Sequence, residues 1–386
     1  MNFKKIKLAA AVALTSVSLA ACSIFENPDS FEPVDLTDYT FKVQPNIIWQ
    51  ANIGSEAGPG FSPAVQDNSI YAATPSGDVT KLDLSSGKII WHTKLEQTLA
   101  AGVGTDGNIA TVTTRDGQLI ALNAADGKEL WHTKVSTITS TPPVVGQGKV
   151  VVRADDYRVQ AFDAQNGELQ WSYLRTNAPM ALKGSIRLMM TQGAVMASVP
   201  IGKAVALNIN NGQLIWELSV APIQGVTDLD VVTDVVGLPV STNGIVCLDT
   251  YQGHVACYTP SKAGQAPALL WNKDFSSSVG LEAHDNLIYG ASMHGELTAF
   301  SAQNGDMQWQ DNTLYNRALT NPVWFNNTLA VGDYEGYVHF YNPQTGEILG
   351  RIEAGSSDPI QSPLTQTAAG LLVQTGNGKL VMLGVQ

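Results

Sequence analysis

The chain has 386 residues, with 22 Lys and Arg against 34 Asp and Glu and a formal net charge of −12. That balance speaks against a nucleic-acid binder, which needs a basic face to displace phosphate counterions, and against electrostatic adhesion to anionic lipid. With 44% hydrophobic and 15% charged residues it is globular, yet longer than the roughly 250–300 residues at which one core stops growing, and no break in composition divides it.

Lys4, Lys5 and Lys7 precede an uncharged apolar run from Leu8 to Ala21, the pattern of a secretory signal. The run is rich in Ala, Ser and Thr and short for a span of about 20 residues. It ends in Leu19-Ala20-Ala21-Cys22, which resembles the lipobox of bacterial lipoproteins; a signal anchor with a buried Cys, or ordinary secretion, are the alternatives. The resemblance implies removal of residues 1–21 and acyl chains on Cys22, and Ser23 where retained lipoproteins carry Asp implies passage to the outer membrane. Residues 22–41 hold Glu26, Asp29, Glu32, Asp35 and Asp38 with Pro28 and Pro33 and no hydrophobic period. They are expected to form a solvated, flexible tether.

From residue 42 to 386 one phrase recurs. Trp49, Trp91, Trp131, Trp171, Trp216, Trp271 and Trp309 follow one another at intervals of 42, 40, 40, 45, 55 and 38 residues. Fourteen positions separate a hairpin residue from the closing position in Gly77→Trp91, Gly117→Trp131, Tyr157→Trp171, Gly202→Trp216 and Gly295→Trp309. Gly336→Gly350 keeps that spacing without the Trp, and Gly253→Trp271 takes 18, with an insertion around Pro260–Pro267. Apolar and β-branched residues before each hairpin read as a strand, the Gly supplies the positive φ of a tight loop, and a second turn ending in Gly leads to the Trp strand. With a leading strand, each phrase is a four-stranded antiparallel blade of a propeller.

The closing positions number eight. The last hairpin, at Asn377-Gly378, runs out of chain before its Trp strand, while Asn46-Ile47-Ile48-Trp49-Gln50 is a Trp strand without a hairpin before it. Pairing them predicts an all-β, eight-bladed propeller closed by its N-terminal strand, with no free sheet edges left over. An open solenoid would leave both incomplete blades exposed.

The phrase resembles the tryptophan-docking repeat of quinoprotein-type propellers. That resemblance first suggests a dehydrogenase using pyrroloquinoline quinone, whose members stack the cofactor on adjacent cysteines and hold calcium with Glu, Asn and Asp. Here there is no adjacent Cys pair and no acidic cluster apart from the repeat, so no enzyme, cofactor or metal is expected. The six His are scattered, and His92 and His132 share one slot of the repeat, which marks a repeated environment rather than converging ligands. Cys247 and Cys257 lie symmetrically about Gln252 in a hairpin; they form either a cross-strand disulfide or a free buried pair.

The repeat breaks twice, after Trp171 and after Trp216, in the stretches 177–185 and 225–236. Both are apolar for loop segments beside isolated charges, which suits a partner surface; packing against neighbouring blades is the plainer reading. With lipobox, acidic tether, eight Trp-repeat blades and irregular stretches in these two places, the chain resembles the BamB family, the propeller lipoproteins of the outer membrane β-barrel assembly machinery. The resemblance implies a non-catalytic scaffold on the outer membrane, facing the periplasm and attached to the membrane through its lipid alone. It also implies contact with the periplasmic domains of BamA, and assistance to unfolded outer membrane proteins.

In that family a Leu-x-Leu-Arg-Gly-x-Ser-like loop and an Asp-x-Asp-x-x-Pro-like loop carry the BamA contact. They fall here on Met180, Leu182, Lys183 and Gly184, with Ser185 one place early, and on Asp234, Val236 and Pro239. Lys183 lacks the planar fork of Arg and Val236 replaces an acid, so a more apolar surface is implied. A small quinoprotein-like dehydrogenase and a periplasmic carbohydrate- or peptide-binding propeller are the rival readings.

Overall fold

The computed structural model describes residues 32–54, 57–58, 60–174, 187–221, 233–262, 265–355 and 357–385. They form eight four-stranded antiparallel sheets, seven of them built from four strands consecutive in sequence. Counted from the first complete sheet, blade 1 comprises Ala64–Gln66, Ser69–Ala73, Asp78–Asp83 and Ile89–Lys94, and blade 7 ends with Ile348–Glu353. Blade 8 takes Thr365–Thr367, Gly370–Gln374 and Lys379–Val385 from the C-terminus and its outer strand, Pro45–Asn52, from the N-terminus. Asn46 pairs with Gly384 and Asn52 with Lys379, so the ring closes as the incomplete phrases at the two ends require.

The length that no single core could serve is divided among eight. Each junction between successive blades has its own apolar cluster, from Tyr71, Trp91, Ile120 and Leu122 between blades 1 and 2 round to Ile70, Leu82, Leu372 and Met382 between blades 8 and 1. No blade has a core of its own; each exists by covering its neighbours.

The outer strand of every blade carries a bulge just before the closing position. In blade 1, Lys81 pairs with Trp91 and Leu82 with Ile89, so Ile90 is skipped; in blade 8, Ile48 is skipped between Ile47 and Trp49. The extra residue bends the strand and re-aims the side chain that follows it. Six indoles then donate Nε1–H to a carbonyl of the next blade, at 2.7–3.1 Å: Trp49 to Leu84, Trp91 to Ala124, Trp131 to Ala164, Trp171 to Ile209, Trp271 to Ala302 and Trp309 to Pro343. Each acceptor lies three residues before a turn glycine over which the indole lies flat. At Gly167, for instance, φ is 72° and a Cβ would come within 2.6 Å of Trp131 Cε3. The same glycine therefore satisfies the turn and the docking.

Two closing positions depart from the pattern. Trp216 makes no such bond among the described residues, because the blade it faces carries the Pro260–Pro267 insertion between His254–Thr259 and Ala268–Asp274, where other blades have the receiving turn. At Gly350 the missing indole is replaced by the chain's own N-terminal segment: the amides of Lys42 and Val43 reach Leu349 O at 2.8 and 3.2 Å, and a Cβ on Gly350 would lie 2.6 Å from Val43 Cγ2.

The segment expected to be a solvated tether is thus bound from Glu32 onward. Val34 N donates to Tyr315 O at 3.1 Å, Asn316 Nδ2 to Glu32 O at 3.3 Å and Arg317 Nη1 to Val34 O at 2.9 Å. Leu36 packs on the cluster between blades 6 and 7. Hydrogen bonds to the backbone need no side-chain period, which is why composition gave no sign of them. Arg317 is held for this task by Asp333, at 2.9 Å from Nε and 2.8 Å from Nη2, and by Glu335. Burial works against the charge on Asp333, but bonds from His339, at 3.0 Å, and from Arg317 outweigh it and keep the carboxyl below its usual range.

Candidate functional site

The two irregular stretches flank blade 4, made of Met189–Thr191, Ala194–Val199, Lys203–Asn208 and Leu214–Ser219. Met180, Leu182, Lys183, Gly184 and Ser185 lie outside the described residues, as does Cys22. The second pattern falls largely on a strand rather than a loop. Val236 and Pro239 belong to Val235–Thr242, the inner strand of blade 5, where a bulge between Val236 and Val240 breaks the register.

Asp234 is turned inward, with 1% of its surface exposed. Tyr157 Oη stands 2.7 and 2.8 Å from its two carboxylate oxygens. Arg153 stacks over the Tyr157 ring at 4.4 Å and donates Nε–H to Ser198 O at 3.0 Å. Desolvation lowers the Arg153 pKa, and the charge on Asp234 pulls it back up. This buried set ties blade 3 (Val144–Gly146, Lys149–Arg153, Val159–Asp163 and Leu169–Tyr173) through blade 4 to blade 5. The Asp234 carboxylate is therefore a buried group and not a surface one.

Tyr157 was legible only as a substitute for the hairpin glycine. It adopts φ 65°, a left-handed conformation costing a non-glycine residue about 1–2 kcal/mol, and the side chain that a glycine would lack is the one that reaches Asp234.

Blade 5 also holds the cysteine pair. Cys247 and Cys257 are opposite each other in the register of Ile245–Thr250 and His254–Thr259, and they are joined by a disulfide that is fully buried. His92 and His132 are exposed and bonded to Asp78 and Glu129 respectively. Among the described residues, no three of His, Cys, Asp and Glu gather within reach of one metal ion.

Inside the ring, the inner strands of blades 5 to 8, the segment leading into blade 4 and that leading into blade 1 surround a channel cavity of about 400 Å³. Gly237 and Gly280 meet there backbone to backbone: a Cβ on Gly237 would lie 2.6 Å from Gly280 Cα. Arg187 and Glu282 are the charged residues among those described in its wall. Sequence reasoning marked neither, because neither belongs to a repeated slot or a known motif.

A family profile described as outer membrane protein assembly factor BamB matches residues 43–101 and 75–311. The assembly factor BamB of Taylorella asinigenitalis is 46% identical over 379 residues, 98% of each chain. The chain belongs to the BamB family. The crystal structure of BamB from Moraxella catarrhalis superposes with a TM-score of 0.80 over 88% of this chain and 99% of that one, at 24% identity. A quinohemoprotein alcohol dehydrogenase from Comamonas testosteroni shares the fold, with a TM-score of 0.65 over 88% of this chain and 76% of its own, at 14% identity. Descent thus places the chain with BamB assembly factors, and the dehydrogenase likeness is one of architecture.

Proposed function

We propose that this BamB-family chain is a non-catalytic scaffold of the outer membrane β-barrel assembly machinery. Acyl chains on Cys22 hold it to the inner leaflet of the outer membrane, where it faces the periplasm. It positions the periplasmic domains of BamA through the stretches on either side of blade 4 and thereby assists unfolded outer membrane proteins. The observation that carries this reading is likeness to a named assembly factor over 98% of both chains. The tie from Tyr157 to Asp234 supports it, because it braces blades 3 and 5 on either side of blade 4, and a braced scaffold binds at little ordering cost. Lipid attachment concentrates both partners at one surface, so each contact can be weak.

The test is capture by BamA's periplasmic domains of the intact chain and of Leu182→Asp with Lys183→Glu. Loss of capture with an unchanged thermal melt supports the proposed surface, and undiminished capture overturns it. Separately, Cys22→Ala should release the protein from the membrane fraction; retention there would overturn the anchor.

A further inference from the structure

The channel wall is mostly apolar, contributed by Pro63, Leu238, Val240, Val279, Leu281 and Val323 among others. Two ionic side chains interrupt it, and they are used differently. Both Glu282 oxygens are engaged, Oε1 by Ala283 N at 2.8 Å and Oε2 by Trp324 N at 3.0 Å. Among the described residues Arg187 has a single polar partner, the hydroxyl of Ser62. No carboxylate among the described residues pairs with it. It is deep among protein atoms yet reachable from the channel, and desolvation alone lowers its pKa to about 10.

A guanidinium offers five N–H donors in a fixed fork that matches a carboxylate bidentately. Holding one half-buried without a counter-ion is costly, and low-dielectric walls concentrate its field in the cavity. Among the described residues only Ser62 engages the fork, and the amides of Asn321 and Gln366 stand elsewhere in the wall. The volume lies within the range of small-molecule sites, which are apolar with a few placed polar groups.

We propose that the central channel receives a carboxylate carried on a small apolar body, such as the C-terminal residue of a peptide, with Arg187 as its counter-ion. This goes beyond the scaffold role and uses a different part of the molecule from the surface beside blade 4.

The probe is N-acetyl-leucine, compared with N-acetyl-leucinamide, acetate and inorganic phosphate, titrated into the full-length protein with amide chemical shifts as the readout. Expected are saturable shifts at Gly237, Val279 and Val323, with the amide binding about tenfold more weakly, as loss of one charge-assisted pair implies. Acetate should bind more weakly than N-acetyl-leucine because it leaves the apolar wall uncovered. Arg187→Gln should lose about tenfold and Arg187→Lys less. If Arg187→Gln melts early, Ser62→Ala and the amide comparison decide in its place. Equal binding of acid and amide, unaltered binding by Arg187→Gln, phosphate binding as well as the probe, or absence of saturable shifts would each overturn the assignment.

Discussion

Tyr157 Oη lies within 2.8 Å of both carboxylate oxygens of Asp234, across 77 positions of sequence. The contact passes over a whole blade, from the third hairpin to the start of the fifth sheet. Most inter-blade cohesion joins nearest neighbours, through indole docking and shared apolar clusters. This one adds a polar tie at the place where the regular docking fails, since Trp216, between blades 4 and 5, has no indole bond to the next blade among the described residues.

Tyr157→Phe keeps the ring and the left-handed backbone but removes the hydroxyl. The buried Asp234 carboxylate then loses a donor, at a cost of about 1–3 kcal/mol. Urea titration followed by tryptophan fluorescence should show a lowered midpoint; an unchanged midpoint would mean that the tie carries no stability.

The docking tryptophans should not be equivalent. Trp131→Phe forfeits the bond to Ala164 O and uncovers Gly167, whereas Trp216→Phe has no such bond to lose. The first should cost about 1–2 kcal/mol more than the second. Matched thermal melts of the two variants measure the difference, and equal losses would contradict the role given to the indole nitrogen.

Asp249 is fully buried on the second strand of blade 5, and neither carboxyl oxygen has a hydrogen-bond partner among the described residues. Burial raises its pKa to about 7, while Ser277 beside it pulls the other way without an ordinary hydrogen bond. An unfolded Asp ionises near 3.9, so between about pH 4 and pH 7 the unfolded chain releases a proton that the folded chain keeps. Stability from this group is therefore full below pH 4 and is lost as pH rises towards 7. Asp249→Asn removes the effect: its melting temperature should match the parent near pH 4 and exceed it at pH 8, by up to about 4 kcal/mol of stability. A gap independent of pH would refute the buried-acid account.

Reducing the disulfide should loosen one hairpin, not the ring. Cys247→Ala with Cys257→Ala removes a link closing a loop of about ten residues, worth about 2–3 kcal/mol in the chain-entropy picture. Hydrogen exchange should quicken in 245–259 and stay unchanged in blades 1 and 2. Uniform quickening would show that the bond governs the whole propeller.

The propeller was legible because its signals are periodic and redundant. Five of the Trp residues follow a hairpin residue by fourteen positions, and the broken phrases at the two ends are complementary, so even ring closure followed from spacing. What stayed hidden depends on single side chains that meet only after folding. Tyr157 looks like an unsuitable hairpin residue until Asp234 is placed under it. Asp234, read as a partner contact, is buried, with Tyr157 Oη on both of its carboxylate oxygens. Arg187 has no neighbour in sequence that announces a channel. The loss of Trp at 350 was visible, but its cause was not: Val43 occupies the space.

The clasp of Arg317 on Val34 fixes where the chain leaves the ring. Glu32 is only ten positions after Cys22, a leash of at most about 35 Å. A lipid at Cys22 would then moor the ring at blades 6 and 7, where Val34 meets Tyr315 and Arg317. Blades 2 and 3 lie on the opposite side of the ring, so the point of attachment sets which blades stand furthest from it.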